Sequence, residues 1–127
     1  MSGGARVPVP RSERGSAAVL GTVLVGALAT VAVLVAALGG AVADQRRVES
    51  AADLGALAGA SAAQRGDDPC AAAGSTVARN RARLTACRVA GEVVTLRAAR
   101  SSRPVLGLRF TLTSTARAGP AGSAPAR

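Results

Sequence analysis

Between Arg14 and Asp44 the chain runs for 29 residues, 15–43, without a charge, and the only side-chain hydroxyls in that run are Ser16, Thr22 and Thr30. As a helix it would reach roughly 43 Å, against a hydrocarbon core of about 30 Å. A helix satisfies its own backbone donors and acceptors, which a chain in lipid must do. A buried core helix of that length would need a large protein around it, and 127 residues leave room for one small domain. The run is therefore read as a transmembrane helix in contact with membrane lipid.

A cleaved secretory signal is the rival reading, because Ala41-Val42-Ala43 before Asp44 fits the small-residue cleavage pattern, with the cut between Ala43 and Asp44. Signal apolar regions run about 7 to 15 residues, and the stretch from Ala17 to Leu38 exceeds that. Cut there, the product would be a secreted small protein that binds an anionic partner through its Arg-rich surface. Arg6, Arg11, Arg14 and the amino terminus precede the run, and Arg46 and Arg47 follow it, a bias that favours the N-terminus inside and the C-terminal domain outside the cytoplasmic membrane.

Composition narrows the chemistry. The chain has 16 basic residues, all Arg, and 7 acidic ones, with no His, no Lys, no Trp, no Tyr and one Phe. Without His and Lys the commonest general base and any Schiff-base amine are missing, so an enzyme is not expected and no cofactor is assigned. Phe110 alone cannot supply a base-stacking platform, so nucleic acid is not an expected partner, nor is a small-molecule substrate. Arg79, Arg81, Arg83 and Arg88 form the densest basic cluster; a solvated basic face is favoured there over an anion-binding patch.

The domains expected are a flexible cytoplasmic lead over 1–14, the span over 15–43, a helical extension over 44–65, a small α+β domain over 66–117 and a disordered tail over 118–127. Nothing stops the helix after Ala43, because Asp44 to Arg65 holds no Pro, and Val48, Ala51, Leu54, Leu57, Ala58 and Ser61 fall at helical spacing. Gly66 is a natural stop, and Asp68-Pro69 supplies an N-cap with proline at the first helical position. Asn80, tolerant of the left-handed conformation, offers an end to this second helix. The period then changes to two. Leu84–Val89 and Val93–Ala98 flank Ala90-Gly91-Glu92 as a hairpin, and Leu106, Leu108, Phe110 and Leu112 alternate with polar or small residues as a third strand and expected core.

Cys70 and Cys87 are the only cysteines, and two thiols without His are too few for a zinc site. A disulfide is the leading reading, because so small a domain generally needs a staple; it would stabilise by roughly 3 kcal/mol and require an oxidising compartment. A helix from Pro69 through Arg83 would cover about 20 Å and four extended residues return only about 13 Å, which strains the bridge; ending the helix at Asn80 relieves it. Two buried free thiols are the alternative. Small residues recur every fourth position as Ala32, Ala36 and Gly40, and again as Ala51, Gly55, Gly59 and Ala63, rows that would let the helix pack against copies of itself or a partner helix.

The start Arg14-Gly15-Ser16-Ala17 and the helix Ala51-Ala52-Asp53-Leu54-Gly55-Ala56-Leu57-Ala58-Gly59-Ala60 resemble TadE/TadG-like proteins of tight-adherence (Flp-type) pilus systems. The chain is most similar to short TadE-like proteins found beside secretion genes in actinobacteria, where Cys70, the segment Ala82 to Cys87 and the following strand have counterparts. The resemblance covers roughly residues 12–100. It implies a pilin-like fold and a non-catalytic minor pseudopilin or accessory protein whose partners are pilus or secretion-system subunits. Prepilin peptidase in this family cuts after a Gly that precedes a Glu by five residues; a cut between Gly15 and Ser16 would put Leu20 in that place.

Overall fold

The computed structural model describes residues 3–4 and 11–122. The chain divides into two compact units, Met1–Leu38 and Gly39–Arg127. Its elements in order are α1 (Arg11–Arg65), α2 (Pro69–Arg79), β1 (Arg83–Ala90), β2 (Val93–Ser101) and β3 (Thr111–Ala118), an α+β arrangement.

Helix α1 is one uninterrupted element of 55 residues, as the absence of Pro from 11–65 predicts. It is long and apolar enough to cross a membrane, with a mean hydropathy of 2.5 over its most apolar stretch. From Val19 to Val42 its Val and Leu side chains are each between 56% and 68% exposed. Its hydroxyls turn inward on the helix. Thr22 donates to the carbonyls of Ala18 and Val19, and Thr30 to that of Gly26 at 2.8 Å. The helix begins at Arg11, four residues inside the expected flexible lead; the rest of the lead, residues 3–4 aside, lies outside the described residues, as does 123–127 of the expected tail.

Within the second unit both helices end the same way. Gly66 (φ +77°) donates to Ala63 and Asp67 donates to Ala62, satisfying the last carbonyls of α1. At the end of α2 the same pair of bonds runs from Arg81 to Ala78 and from Ala82 to Val77. Here the left-handed residue is Arg81 (φ +58°), one residue beyond the expected Asn80, which serves as the C-cap. A non-glycine residue in that conformation costs about 1 kcal/mol, so Arg81→Gly is expected to stabilise the domain by about that amount, read as a raised thermal unfolding midpoint. At the other end of α2 the Asp68 carboxylate accepts from the backbone of Cys70 and Ala71, with Pro69 opening the helix as expected.

The sheet is antiparallel in the order β1-β2-β3. The hairpin turns at Gly91-Glu92, one residue shorter than the expected Ala90-Gly91-Glu92 because Ala90 pairs with Val93, and one bulge at Thr85 shifts the β1–β2 register between Leu84 and Ala86. Val94, Leu96 and Ala98 of β2 are buried, together with Ala116 of β3, Ala73 and Val77 of α2, and Val48, Ala51, Ala52 and Ala56 of α1. Among the described residues only Leu96, Val48, Val77 and Val94 are large and fully buried, so the core consists mainly of alanine.

The third strand lies five residues beyond its expected start. Thr111–Ala118 pairs with β2, whereas 102–110 is a loop that contains an isolated bridge between Val105 and Leu108. Of the four residues expected in the core, Leu106 is 98% exposed, Leu108 and Phe110 are more than half exposed, and Leu112 is half-buried at the core's edge. The inward positions of β3 are instead Ser114, Ala116 and Ala118, opposite Ala98, Leu96 and Val94. Small residues fit where a sheet lies close to a helix; the large apolar alternation belongs to the loop.

Candidate functional site

Three features of the second unit carry interactions: a glycine-alanine helix face, a buried carboxylate, and an arginine-bearing sheet face. The first explains the row Ala51, Gly55, Gly59 and Ala63. Ala51, Gly55 and Gly59 are buried and Ala63 is half-buried, all against the chain's own elements. A Cβ on Gly55 would lie 2.6 Å from Val77 Cγ2 and 3.2 Å from Leu96 Cδ2. One on Gly59 would lie 3.0 Å from the Pro69 carbonyl oxygen and 3.1 Å from Val94 Cγ1. This row therefore packs α2 and β2 inside the protein, where the sequence left a partner helix or a second copy as the expected neighbour. The first row is different. Ala32, Ala36 and Gly40 are exposed, and no heavy atom lies within 4 Å of a Cβ built on Gly40.

A disulfide joins Cys70, in the first turn of α2, to Cys87, in the middle of β1, with their Cα atoms 6.0 Å apart. It fastens the helix to an edge strand, across a core too poor in large side chains to hold both firmly.

Asp44 is 3% exposed, the one buried charged residue among those described. Its Oδ2 accepts the backbone N–H of Arg103 at 3.1 Å, and its Oδ1 accepts from the Arg47 guanidinium at 3.2 Å. The Arg103 N–H bond, with the guanidinium groups of Arg100, Arg103 and Arg47, holds its carboxyl below the ordinary 3.8 even though burial opposes this. Because the folded value lies below the unfolded one, the contribution to stability is complete above 3.8 and is lost as pH falls through the folded pKa. Wild-type protein is expected to lose stability along that acid limb and Asp44→Asn to show a flatter one, measured by thermal unfolding against pH. Asp44→Ala should also speed amide exchange at Arg103, while β2 amides keep their protection.

These same contacts place the Ala43–Asp44 bond inside α1, with Asp44 fixed to a residue 59 positions away. Sequence reasoning met Asp44 only as the residue after a signal cleavage; its charge at the edge of an apolar run was visible, its distant partner was not. Gly15 and Ser16 are helical and exposed.

The outward face of the sheet carries Arg88, Arg97 and Arg117. Arg88 pairs with Thr95, which pairs with Arg117, and Ala86 pairs with Arg97, which pairs with Thr115. These residues line one shallow groove with Val93, and all three arginines are exposed. The outward positions of the three strands hold no Asp or Glu, and among the described residues none of the three arginines forms an ion pair. Guanidinium groups flanked by threonine hydroxyls can grip carboxylate or phosphate oxygens. The sequence cluster Arg79, Arg81, Arg83 and Arg88 grouped neighbours along the chain; the sheet instead joins Arg88 to arginines of β2 and β3. The expected three-residue turn would have set Arg88 opposite Val94; the observed two-residue turn sets it opposite Thr95, and the displaced third strand hid Arg117. Compared with known protein families, with curated proteins and with solved structures, the chain matches none.

Proposed function

We infer that the protein is a non-catalytic, single-pass subunit of the bacterial cytoplasmic membrane, a TadE-like minor pseudopilin or accessory protein of a tight-adherence pilus or related secretion assembly. The observation that carries this reading is the exposure of every large aliphatic side chain from Val19 to Val42 on a helix that continues into a disulfide-braced α+β domain. In water such a stretch would be a severe liability; in lipid it is solvated. The disulfide fits a domain held outside the cytoplasm, and the Arg bias before the run fits an inside N-terminus. The exposed row Ala32, Ala36 and Gly40 is then free for helix packing within the bilayer, and the Arg88, Arg97 and Arg117 face is free to dock an acidic surface of an assembly partner.

Release by cleavage after Ala43 is disfavoured by the burial and bonding of Asp44, which a new amino terminus there would disturb. The test is genetic and biochemical together. Deleting the gene should abolish surface filaments or the linked export, and wild-type protein but not an Arg88→Glu, Arg97→Glu, Arg117→Glu variant should restore it. The variant must keep its unfolding midpoint. Intact filaments and export after deletion, or recovery of a soluble chain beginning at Asp44, would overturn the proposal.

A further inference from the structure

The loop 102–110 presents an apolar surface that the fold does not use. Leu106 is 98% exposed, Leu108 61% and Phe110 56%. The loop is nonetheless ordered by specific bonds: Ser102 N–H to the Phe110 carbonyl, Phe110 N–H to Ser102 Oγ, and the reciprocal Val105 and Leu108 pair, both 2.9 Å. Leu106 and Gly107 form its tip, both at positive φ (+51° and +79°). A leucine in that conformation is strained, and among the described residues its side chain is left almost wholly exposed.

The position of the loop follows from the packing of β2 along the second half of α1. Val94 lies beside Gly59, Leu96 beside Gly55, and Arg103 is bonded to Asp44, so β2 runs antiparallel to α1 toward the uncharged run. The hairpin at Gly91-Glu92 is the far end of the sheet. Loop 102–110 is the near end, tied to the first residue after Ala43. Arg100, Arg103 and Arg109 accompany it.

We propose that loop 102–110 is a second membrane contact, its apolar side chains Leu106, Leu108 and Phe110 entering the headgroup–acyl boundary while its arginines meet lipid phosphates. The occupant is the bilayer itself, because the Asp44 bond ties the base of this loop, at Arg103, to the residue that follows the uncharged run, and apolar side chains flanked by arginine suit that boundary. The proposal rests on the membrane anchoring inferred above. It adds a contact with lipid made by a loop of the second unit.

The chain has no Trp or Tyr, so a single tryptophan reports its own surroundings. Leu106→Trp, and Phe110→Trp as a variant free of the left-handed turn, are placed in the full chain and reconstituted into vesicles of phosphatidylcholine and phosphatidylglycerol. Thr115→Trp, on the outward sheet face, is the comparison. The loop tryptophans are expected to show blue-shifted emission, several-fold stronger quenching by lipids labelled near the headgroup than at position 115, and shielding from aqueous acrylamide. Adding Asp44→Ala should weaken the lipid quenching. Acrylamide access at 106 and 110 in a chain that resists carbonate extraction would overturn the loop contact and leave the anchoring intact. Shielding without lipid quenching would show a protein surface covering the loop and overturn it too. Extraction of the chain by carbonate would overturn the anchoring itself.

Discussion

Gly55→Leu is expected to destabilise the domain by an amount at or above the upper end of the ~1–3 kcal/mol that overpacking usually costs. A first added carbon would already sit 2.6 Å from Val77 Cγ2, and Val77 is fully buried on the first helix–helix contact. Leucine adds three more carbons with Leu96 Cδ2 also at hand, so α2 and β2 must both move away from α1. The separation would reach Val48, Val94 and Leu96, which are most of the large buried side chains. Gly40→Ala is the matched control. With no neighbour within 4 Å it gains helix propensity of up to about 1 kcal/mol and no clash. Thermal unfolding followed by circular dichroism in micelles separates the two, and equal midpoints for Gly55→Leu and wild type would remove the close approach of α1 and α2 from the account.

The second large effect is loss of the Cys70–Cys87 bridge. The closed loop has 16 intervening residues, for which the chain-entropy account gives roughly 3 kcal/mol. In a domain of this size that corresponds to a fall in midpoint of roughly 12–24 °C. The consequence is severe here because the core is alanine-rich, with four large side chains fully buried among the described residues, so little stability remains in reserve. The double variant Cys70→Ala, Cys87→Ala should unfold far below wild type, and α2, which is fastened to β1 by the bridge, should lose amide protection first. A shift of only a few degrees would show that side-chain packing alone holds the domain.

Local signals in the sequence were read well where the chemistry is local. Asp68-Pro69 starts α2, Gly66 stops α1, the hairpin falls where expected with a turn one residue shorter, and the Pro-free stretch keeps α1 continuous. The errors share one physical origin: side-chain size was taken as a measure of burial. Leu106, Leu108 and Phe110 alternate like a strand yet are exposed, and of that series Leu112 alone reaches the core's edge, while small residues such as Ser114, Ala116 and Ala118 face the core. That inversion follows from the closeness of α1, set by Gly55 and Gly59, which leaves little depth beneath the sheet. The same contact reassigns the second small-residue row from an external surface to the interior. Asp44 and the arginine face were hidden for a different reason. Each depends on partners distant in sequence, Arg103 for the carboxylate and the β2–β3 pairing for Arg88, Arg97 and Arg117.

The account stands on a helix lodged in lipid with an oxidised domain beyond it, and one measurement meets both halves: intact mass after alkylation of carbonate-washed membranes under non-reducing conditions. The predicted result is the chain retained in the membrane pellet, starting ahead of residue 43, with neither cysteine alkylated until a reductant is added. A soluble chain carrying two alkylated thiols would contradict it.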